Sequence, residues 1–182
     1  MTERAGREID FHPGMGMRWE ITHSSAETSG EMFRAMNWLD PRMPGPPLHV
    51  HPGQEESFEV FEGTLDVFVD GSWRQVRPGE TATVAPGAPH TLRNATDEPV
   101  KVATTIKPAG TTEAFFDDMA RLVEEGKIKR LPPKEPRSAI YAAMLFARYP
   151  EWIRATGAPG LVFRALAGLG KALRFEVADS KR

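Results

Sequence analysis

Apolar and polar positions follow two different periods along the chain, with the change near residue 110. Up to that point, short runs alternate between apolar and polar side chains, as Leu65, Val67 and Val69 do, and Pro/Gly turns separate the runs. Such a pattern is typical of β-strands in a sandwich or barrel. The predicted strands are Met17–His23, Glu31–Leu39, Glu56–Phe61, Leu65–Val69, Trp73–Arg77, Thr81–Ala85, His90–Asn94 and Val100–Lys107.

Beyond residue 110 the apolar positions recur at helical spacing. Thr111 or Thr112 is the expected cap of the first helix, in a capping-box pattern, and Gly126 is its expected stop. Residues 127–137 contain three prolines and five basic residues, which predicts a linker or an extended arm. The predicted helices are Thr111–Gly126, Ser138–Tyr149 and Gly160–Phe175.

The charge balance changes at the same place as the hydrophobic period. Residues 1–110 carry 10 basic and 16 acidic side chains, whereas residues 111–182 carry 13 basic and 9 acidic ones. We therefore predict a β-barrel domain over residues 1–110 and a C-terminal α-helical extension over residues 111–182. The formal net charge of −2 argues against a general nucleic-acid binder, which would show a basic excess.

The chain contains no cysteine, which excludes disulfide scaffolds, thiolate zinc sites and cysteine nucleophiles. Any metal site must therefore use histidine, aspartate or glutamate. The first residues lack the apolar segment of a signal peptide, and the longest uncharged apolar run, Ala139–Ala147, is too short to cross a bilayer. We therefore expect a cytoplasmic protein. Contact of the third predicted helix with a membrane surface is a secondary alternative, because the basic face of that helix is small.

Candidate chemistry is concentrated in two segments of the β-rich part. His49 and His51 are two residues apart, so in a strand their side chains project from the same face. Glu56 shares a face with Phe58 and Val60, which places its carboxylate on an apolar, inward face. A buried carboxylate without a partner is costly, and two imidazoles with a divalent cation would satisfy it.

A third imidazole comes from the second segment, residues 79–94, where His90 and Leu92 share a face. It completes a candidate set of three histidines and one glutamate: His49, His51, Glu56 and His90. Asn94 is interpreted as a hydrogen-bonding residue of a turn or strand end, and Glu55 as a solvated neighbour of the site.

Both segments resemble the two motifs of the cupin superfamily. The first reads Gly45, then His49-Val50-His51, four residues, Glu56, six residues and Gly63, with Gly45 closer to the histidines than is usual. The spacing from the glutamate to the glycine selects Glu56 over Glu55. The second motif is matched by Gly79, Gly87, His90 and Asn94, while Ala85 stands where the family has proline. The resemblance covers roughly residues 30–107.

The resemblance implies an all-β jelly-roll barrel with one divalent metal ion, held by His49, His51, Glu56 and His90. Imidazole and carboxylate ligands suit Fe, Mn, Ni, Cu, Co and Zn, so they leave the identity of the metal open. The chain looks most like single-domain cupins of the quercetin dioxygenase type, in which Glu56 would also act as a base toward a substrate hydroxyl.

Three functions are compatible with this pattern. The first is a dioxygenase-like enzyme for a hydrophobic or aromatic small molecule, because the expected pocket wall is rich in aromatic residues. The second is a metal-dependent isomerase or lyase, and the third is a non-catalytic ligand-binding protein whose helical tail transmits a signal or forms a dimer. We expect a homodimer. The aromatic candidates for the pocket wall are Trp38, Phe58, Phe68 and Trp73.

Overall fold

The protein is described here by a computed structural model that covers residues 6–12 and 14–177. Its strands are β1 (Glu8–Asp10), β2 (Met17–His23), β3 (Phe33–Leu39), β4 (His49–Val50), β5 (Glu55–Glu62), β6 (Leu65–Val69), β7 (Ser72–Val76), β8 (Thr81–Val84), β9 (His90–Arg93), β10 (Val100–Lys107) and β11 (Arg154–Ala155). Its helices are α1 (Thr112–Glu124), α2 (Pro136–Arg148) and α3 (Gly157–Ala172).

The strands form two antiparallel sheets, one ordered β1-β2-β3-β10-β5-β8 and the other β11-β4-β9-β6-β7. Neighbours along the chain often lie in different sheets, and apolar side chains of both sheets form one core. This confirms the predicted all-β jelly-roll barrel with a C-terminal helical extension. The members of that core are Leu39, Met43, Phe58, Val60, Leu65, Val67, Val76, Ala82, Val84, Val100 and Val102.

A second apolar cluster joins the helical extension to the barrel. Phe116 of α1 lies 4.1 Å from the ring of Trp19 and 6.3 Å from that of Phe33, measured between centroids. Trp152, which follows α2, packs 4.4 Å from Phe115. The helices therefore cover one end of the barrel interior. Within the described residues, no helix is both long enough and apolar enough to cross a membrane.

Several predicted boundaries need correction. The predicted capping box is wrong, because Thr111 makes no side-chain hydrogen bond to α1 and its hydroxyl donates to Glu151 instead (2.9 Å). Helix α2 begins at Pro136, two residues earlier than predicted, because proline suits the first position of a helix. The strands β1, β4 and β11 were not predicted, since two or three residues carry too little periodic signal.

A buried carboxylate connects the first two helices. Asp118 of α1 is fully buried, and it accepts a hydrogen bond from the hydroxyl of Tyr149 (2.6 Å). The guanidinium groups of Arg148 and Arg121 lie 3.1 and 3.2 Å from its two carboxylate oxygens. Burial and the hydrogen bond to Asp118 raise the pKa of Tyr149 to about 12, so the phenol stays a donor.

Removing this carboxylate should destabilise the fold strongly. We expect Asp118→Asn to lower the free energy of unfolding by about 3 kcal/mol or more, because two guanidinium groups lose their buried partner. The matched control is Asp97→Asn, which breaks an exposed, solvent-screened pair with Arg42 and should change that free energy little. Urea denaturation measures both values, and equal losses would contradict this account of the helix contact.

Gly45, the opening residue of the first motif, has no room for a side chain. Its φ is +76°, and a Cβ atom would lie 1.7 Å from the carbonyl oxygen of Leu92 in β9. Gly79 of the second motif has a similar φ of +84°, but no atom would lie within 4 Å of its Cβ. A side chain at either glycine would strain the backbone, but only a side chain at Gly45 would also collide with β9. Comparing the two positions therefore separates these two effects.

This difference gives a second prediction about stability. Gly79→Ala should lower the free energy of unfolding by about 1 kcal/mol, the effect of a positive φ alone. Gly45→Ala should lower it by several times as much, because β9 must also move. Thermal and urea denaturation of the two variants measure the difference, and the explanation fails if both lose the same stability.

Candidate metal centre

Two of the three predicted histidines are direct neighbours across strands. His49 of β4 pairs with His90 of β9, which places their ring centroids 4.3 Å apart. His51 follows the end of β4, and its ring lies 5.0 Å from that of His49 and 5.2 Å from that of His90. The second sheet therefore supplies all three imidazoles.

The carboxylate comes from the other sheet. Glu56 of β5 occupies an inward position between its cross-strand partners Val84 and Ile106. Its Oε2 atom lies 2.8 Å from Nε2 of His90 and 3.2 Å from Nε2 of His51. One side-chain nitrogen or oxygen from each of the four residues lies within 4.8 Å of the others, and all four side chains are buried.

Backbone carbonyl groups fix the orientation of every imidazole. The Nδ1 atom of His49 lies 2.8 Å from the carbonyl oxygen of Pro47, and that of His90 lies 2.8 Å from the oxygen of Ala88. The Nδ1 atom of His51 lies 2.7 Å from the oxygen of Trp152. A carbonyl can only accept, so each Nδ1 carries the proton and donates it. With Nδ1 held in this way, each ring directs Nε2 to the centre and can offer it to a metal ion, the arrangement that metal-binding histidines use.

The electrostatics of the site favour a neutral His49 and an ionised Glu56. Burial, with the imidazoles of His90 and His51 nearby, lowers the pKa of His49 to about 3. Burial would raise the pKa of Glu56, but the charges and hydrogen bonds of His51 and His90 outweigh it and lower that pKa below its usual value. Burial would also lower the pKa of His90, but its hydrogen bond to Glu56 raises it.

The comparison with known protein families agrees with this geometry. The family described as "Cupin domain" matches residues 39–106, which contain both motifs and all four side chains of the site. Residues 39–106 therefore form a domain of the cupin superfamily. No curated protein sequence matches it.

Solved structures similar to this cupin share little sequence with it. A protein from Thermus thermophilus is 24% identical, has a TM-score of 0.48, and the match covers 56% of this chain and 91% of that one. A predicted oxalate decarboxylase from Thermotoga maritima is 17% identical, with a TM-score of 0.48, and the match covers 50% of this chain and 80% of that one. The cupin domain of an XRE family transcriptional regulator from Enterobacter cloacae is 24% identical, with a TM-score of 0.45, and the match covers 50% and 96%.

The four side chains of this cupin fit a divalent metal ion. Two ligands bound at right angles, each about 2.1 Å from a metal, are about 3 Å apart. The separations of Glu56 Oε2 from the Nε2 atoms of His90 and His51, 2.8 and 3.2 Å, match that value. Nitrogen and oxygen donors of this kind suit several first-row divalent metals. These residues could therefore hold a metal ion, whose identity the donor atoms leave open.

The helical extension reaches into the site, which the sequence did not indicate. β11 pairs with β4, setting Ala155 opposite His49 and Arg154 opposite Val50. The ring of Trp152 also lies 4.9 Å from that of His51. One segment beyond α2 thus covers the edge of the sheet and orients a candidate ligand. No sequence signal could have identified this role, since the hydrogen bond to His51 uses the backbone of Trp152.

The site opens into an apolar cavity of about 110 Å³. Phe58 lies in its wall as predicted, but Trp38, Phe68 and Trp73 do not. Trp38 lies on the outer surface beneath the guanidinium of Arg18, 3.8 Å away. The cavity is lined by Met15, Met17, Trp19, Asn37, Leu39, Met43, Gly45, Pro46, Pro47, His49, His51, Glu56, Phe58, Leu92, Val102, Thr104, Phe115, Phe116, Met119, Leu131, Phe146, Trp152 and Ile153.

Glu55 and Asn94, the two other polar residues considered near the site, lie in the environments that the sequence predicts. Glu55 is exposed. Asn94 is buried, and its amide donates to the carbonyl oxygens of Asp40 (2.9 Å) and Glu98 (2.7 Å). Asn94 therefore closes a loop beside β9. Asn37, which was not predicted, also lines the cavity, at an inward position that the alternation of β3 indicates.

Metal binding should stabilise the folded protein through these four residues. Protein freed of metal with a chelator should gain about 2.7 kcal/mol of unfolding free energy with Co²⁺ or Zn²⁺ at a hundred times the dissociation constant. His49→Ala should lose most of that gain, whereas the surface variant His12→Ala should keep it. Thermal denaturation with and without metal measures the gain. An equal gain in both variants would place the metal elsewhere.

Proposed function

We propose that this cupin is a metalloenzyme that oxidises a hydrophobic or aromatic small molecule with dioxygen. The metal would be a single ion held by His49, His51, Glu56 and His90. The observation that carries the proposal is the position of this set, three of whose members, His49, His51 and Glu56, line an apolar cavity. A redox-active ion at this place would supply the electron transfer that a reaction between dioxygen and an organic substrate requires.

The cavity supports an apolar substrate. Its wall combines methionines with aromatic side chains from both the barrel and the helices, such as Met17, Phe58 and Phe116. Such a surface binds apolar molecules by removing their surface from water, and methionine adapts to irregular shapes. A sugar phosphate would need charged partners, and among the described residues the only charged or titratable side chains lining this cavity are His49, His51 and Glu56.

Glu56 is the residue we propose for proton transfer. Its carboxylate is buried and ionised, and it lies at the cavity wall beside His51. A substrate hydroxyl that enters from the cavity would meet an acceptor at Oε1 or Oε2. Loss of that proton would leave an electron-rich enolate or phenolate, the form that is most readily oxidised.

A ligand-binding protein without catalysis is the second candidate, and one contact favours it. The carbonyl of Trp152 accepts the hydrogen bond of His51, so the site and the helical extension are directly linked. A ligand that shifts His51 would move this segment. An isomerase or lyase is the third candidate. The homodimer and the cytoplasmic location stay predictions.

Oxygen consumption tests the proposal. With 3-hydroxyflavone, an aromatic enol, the metal-loaded protein should consume dioxygen, and with flavone, which lacks the hydroxyl, it should not. Glu56→Gln should lower kcat about a hundredfold or more, because the amide cannot take the proton. The control Glu55→Gln should leave kcat unchanged.

Each outcome separates the candidates. Binding of 3-hydroxyflavone without product, tested aerobically with Fe²⁺, Mn²⁺, Co²⁺, Ni²⁺ and Cu²⁺ in turn, would contradict the enzyme and favour the ligand-binding protein. Product without oxygen uptake would favour an isomerase or lyase. A change in protease sensitivity after Trp152 on ligand binding would support the signalling alternative.

A further inference from the structure

Asn37 breaks the apolar pattern of the barrel interior. Inward positions of β3 are Phe33, Ala35, Asn37 and Leu39, and all four are buried. An amide at such a position is costly unless both of its ends are hydrogen-bonded. Asn37 is only 3% exposed. A buried polar residue of this kind needs a structural or a functional reason.

Within the described part of the chain, only one end of this amide has a partner. The Nδ2 atom of Asn37 donates to the hydroxyl of Thr104 in β10 at 3.0 Å, and this orients the side chain. The Oδ1 atom is buried, and it has no hydrogen-bond partner among the residues that the structure describes. Thr104 can donate as well as accept, so the opposite orientation of the amide would leave Nδ2 unmatched instead.

The residue opposite Asn37 on the neighbouring strand also has a buried polar atom without a partner among the described residues. Trp19 of β2 is the direct partner of Asn37 in the register, and its side chain is also buried. Its Nε1 donor has no partner among the described residues either. A hydroxyl group both donates and accepts, so one hydroxyl would suit either orientation of the Asn37 amide and could also take the indole donor.

These groups belong to the cavity that contains the candidate metal centre. Trp19, Asn37 and Thr104 line it together with Glu56 and His51. β10 lies between β3 and β5, so the Cα atoms of Asn37 and Glu56 are separated by two strand spacings, at least about 10 Å. The cavity thus has polar groups at two separate places on an apolar wall.

We propose that Asn37 binds a hydroxyl group of the substrate, on an elongated apolar molecule whose other polar end faces His49, His51 and Glu56. The inference rests on the proposed function, because it assumes that the substrate occupies this cavity. It adds the chemical class of that substrate: an apolar molecule with polar groups at both ends. Asn37 then contributes to specificity by favouring molecules that carry the hydroxyl over those that lack it.

Stability gives the first test, which needs no ligand. In the double variant Asn37→Leu/Thr104→Val, both hydrogen-bonding partners are replaced by apolar groups of similar size. If the amide serves a ligand, this variant should melt at the same temperature as the wild type or higher, because an unmatched buried polar atom is removed. A fall of many degrees would mean that the pair holds the barrel together, which would overturn the proposal.

Binding gives the second test, with alkanoic acids of six to twelve carbons and the ω-hydroxy acid of each length as probes. Their carboxylate would occupy the metal-loaded site and their chain the cavity. At the length that reaches Asn37, the hydroxyl should tighten binding to the wild type roughly five- to tenfold, measured by titration calorimetry. The gain should vanish in the double variant. It should persist in Thr105→Val, which changes the next threonine of β10, beside Arg34.

The outcomes separate this inference from the proposed function. Metal-dependent binding of the acids without any gain from the hydroxyl would overturn the role of Asn37, and it would indicate that water satisfies the amide. A gain that survives in the double variant would place the hydroxyl elsewhere and also overturn it. If none of the acids binds, the proposed cavity function fails, and this inference fails with it.

Discussion

The structure depends on one buried carboxylate and the imidazoles that compensate for it. An ionised Glu56 inside an apolar barrel would be prohibitive alone, but Nε2 of His90 and Nε2 of His51 lie within 2.8 and 3.2 Å of it. The two sheets supply opposite sides of this cluster, since Glu56 comes from β5 and the histidines from β4, β9 and the residue after β4. The site therefore forms only where the two sheets come together. A shift of either sheet would move the carboxylate of Glu56 away from the imidazoles.

The helical extension takes part in this arrangement. Its backbone at Trp152 holds the ring of His51, its strand β11 covers the edge of β4, and its aromatic residues form part of the cavity wall. An uncovered sheet edge exposes unpaired backbone groups, so covering it also protects the barrel from edge-to-edge pairing. The stability of the extension, which includes the buried carboxylate of Asp118, is therefore coupled to the geometry of the candidate site.

Two buried asparagines of the barrel differ in their hydrogen bonding. Asn94 has its hydrogen bonds satisfied and closes a loop, whereas Asn37 has a partner at one end only among the residues in the structure's described ranges. The same residue type thus has two roles, and the difference lies in the partners that surround it. A fully bonded amide stabilises the fold, and a half-bonded one beside a cavity is available to a ligand.

The sequence by itself determined the barrel, the helical character of the extension and the four side chains of the candidate site. Period-two alternation, turn residues and the spacing from His49 to Glu56 are local signals, and a side chain's face follows from them. Only the tertiary structure decided that Trp152 orients His51, that β11 completes the second sheet, and that Trp19 lines the cavity while Trp38 does not. These facts depend on how distant segments pack together, and a backbone carbonyl or a two-residue strand has no pattern of its own along the chain.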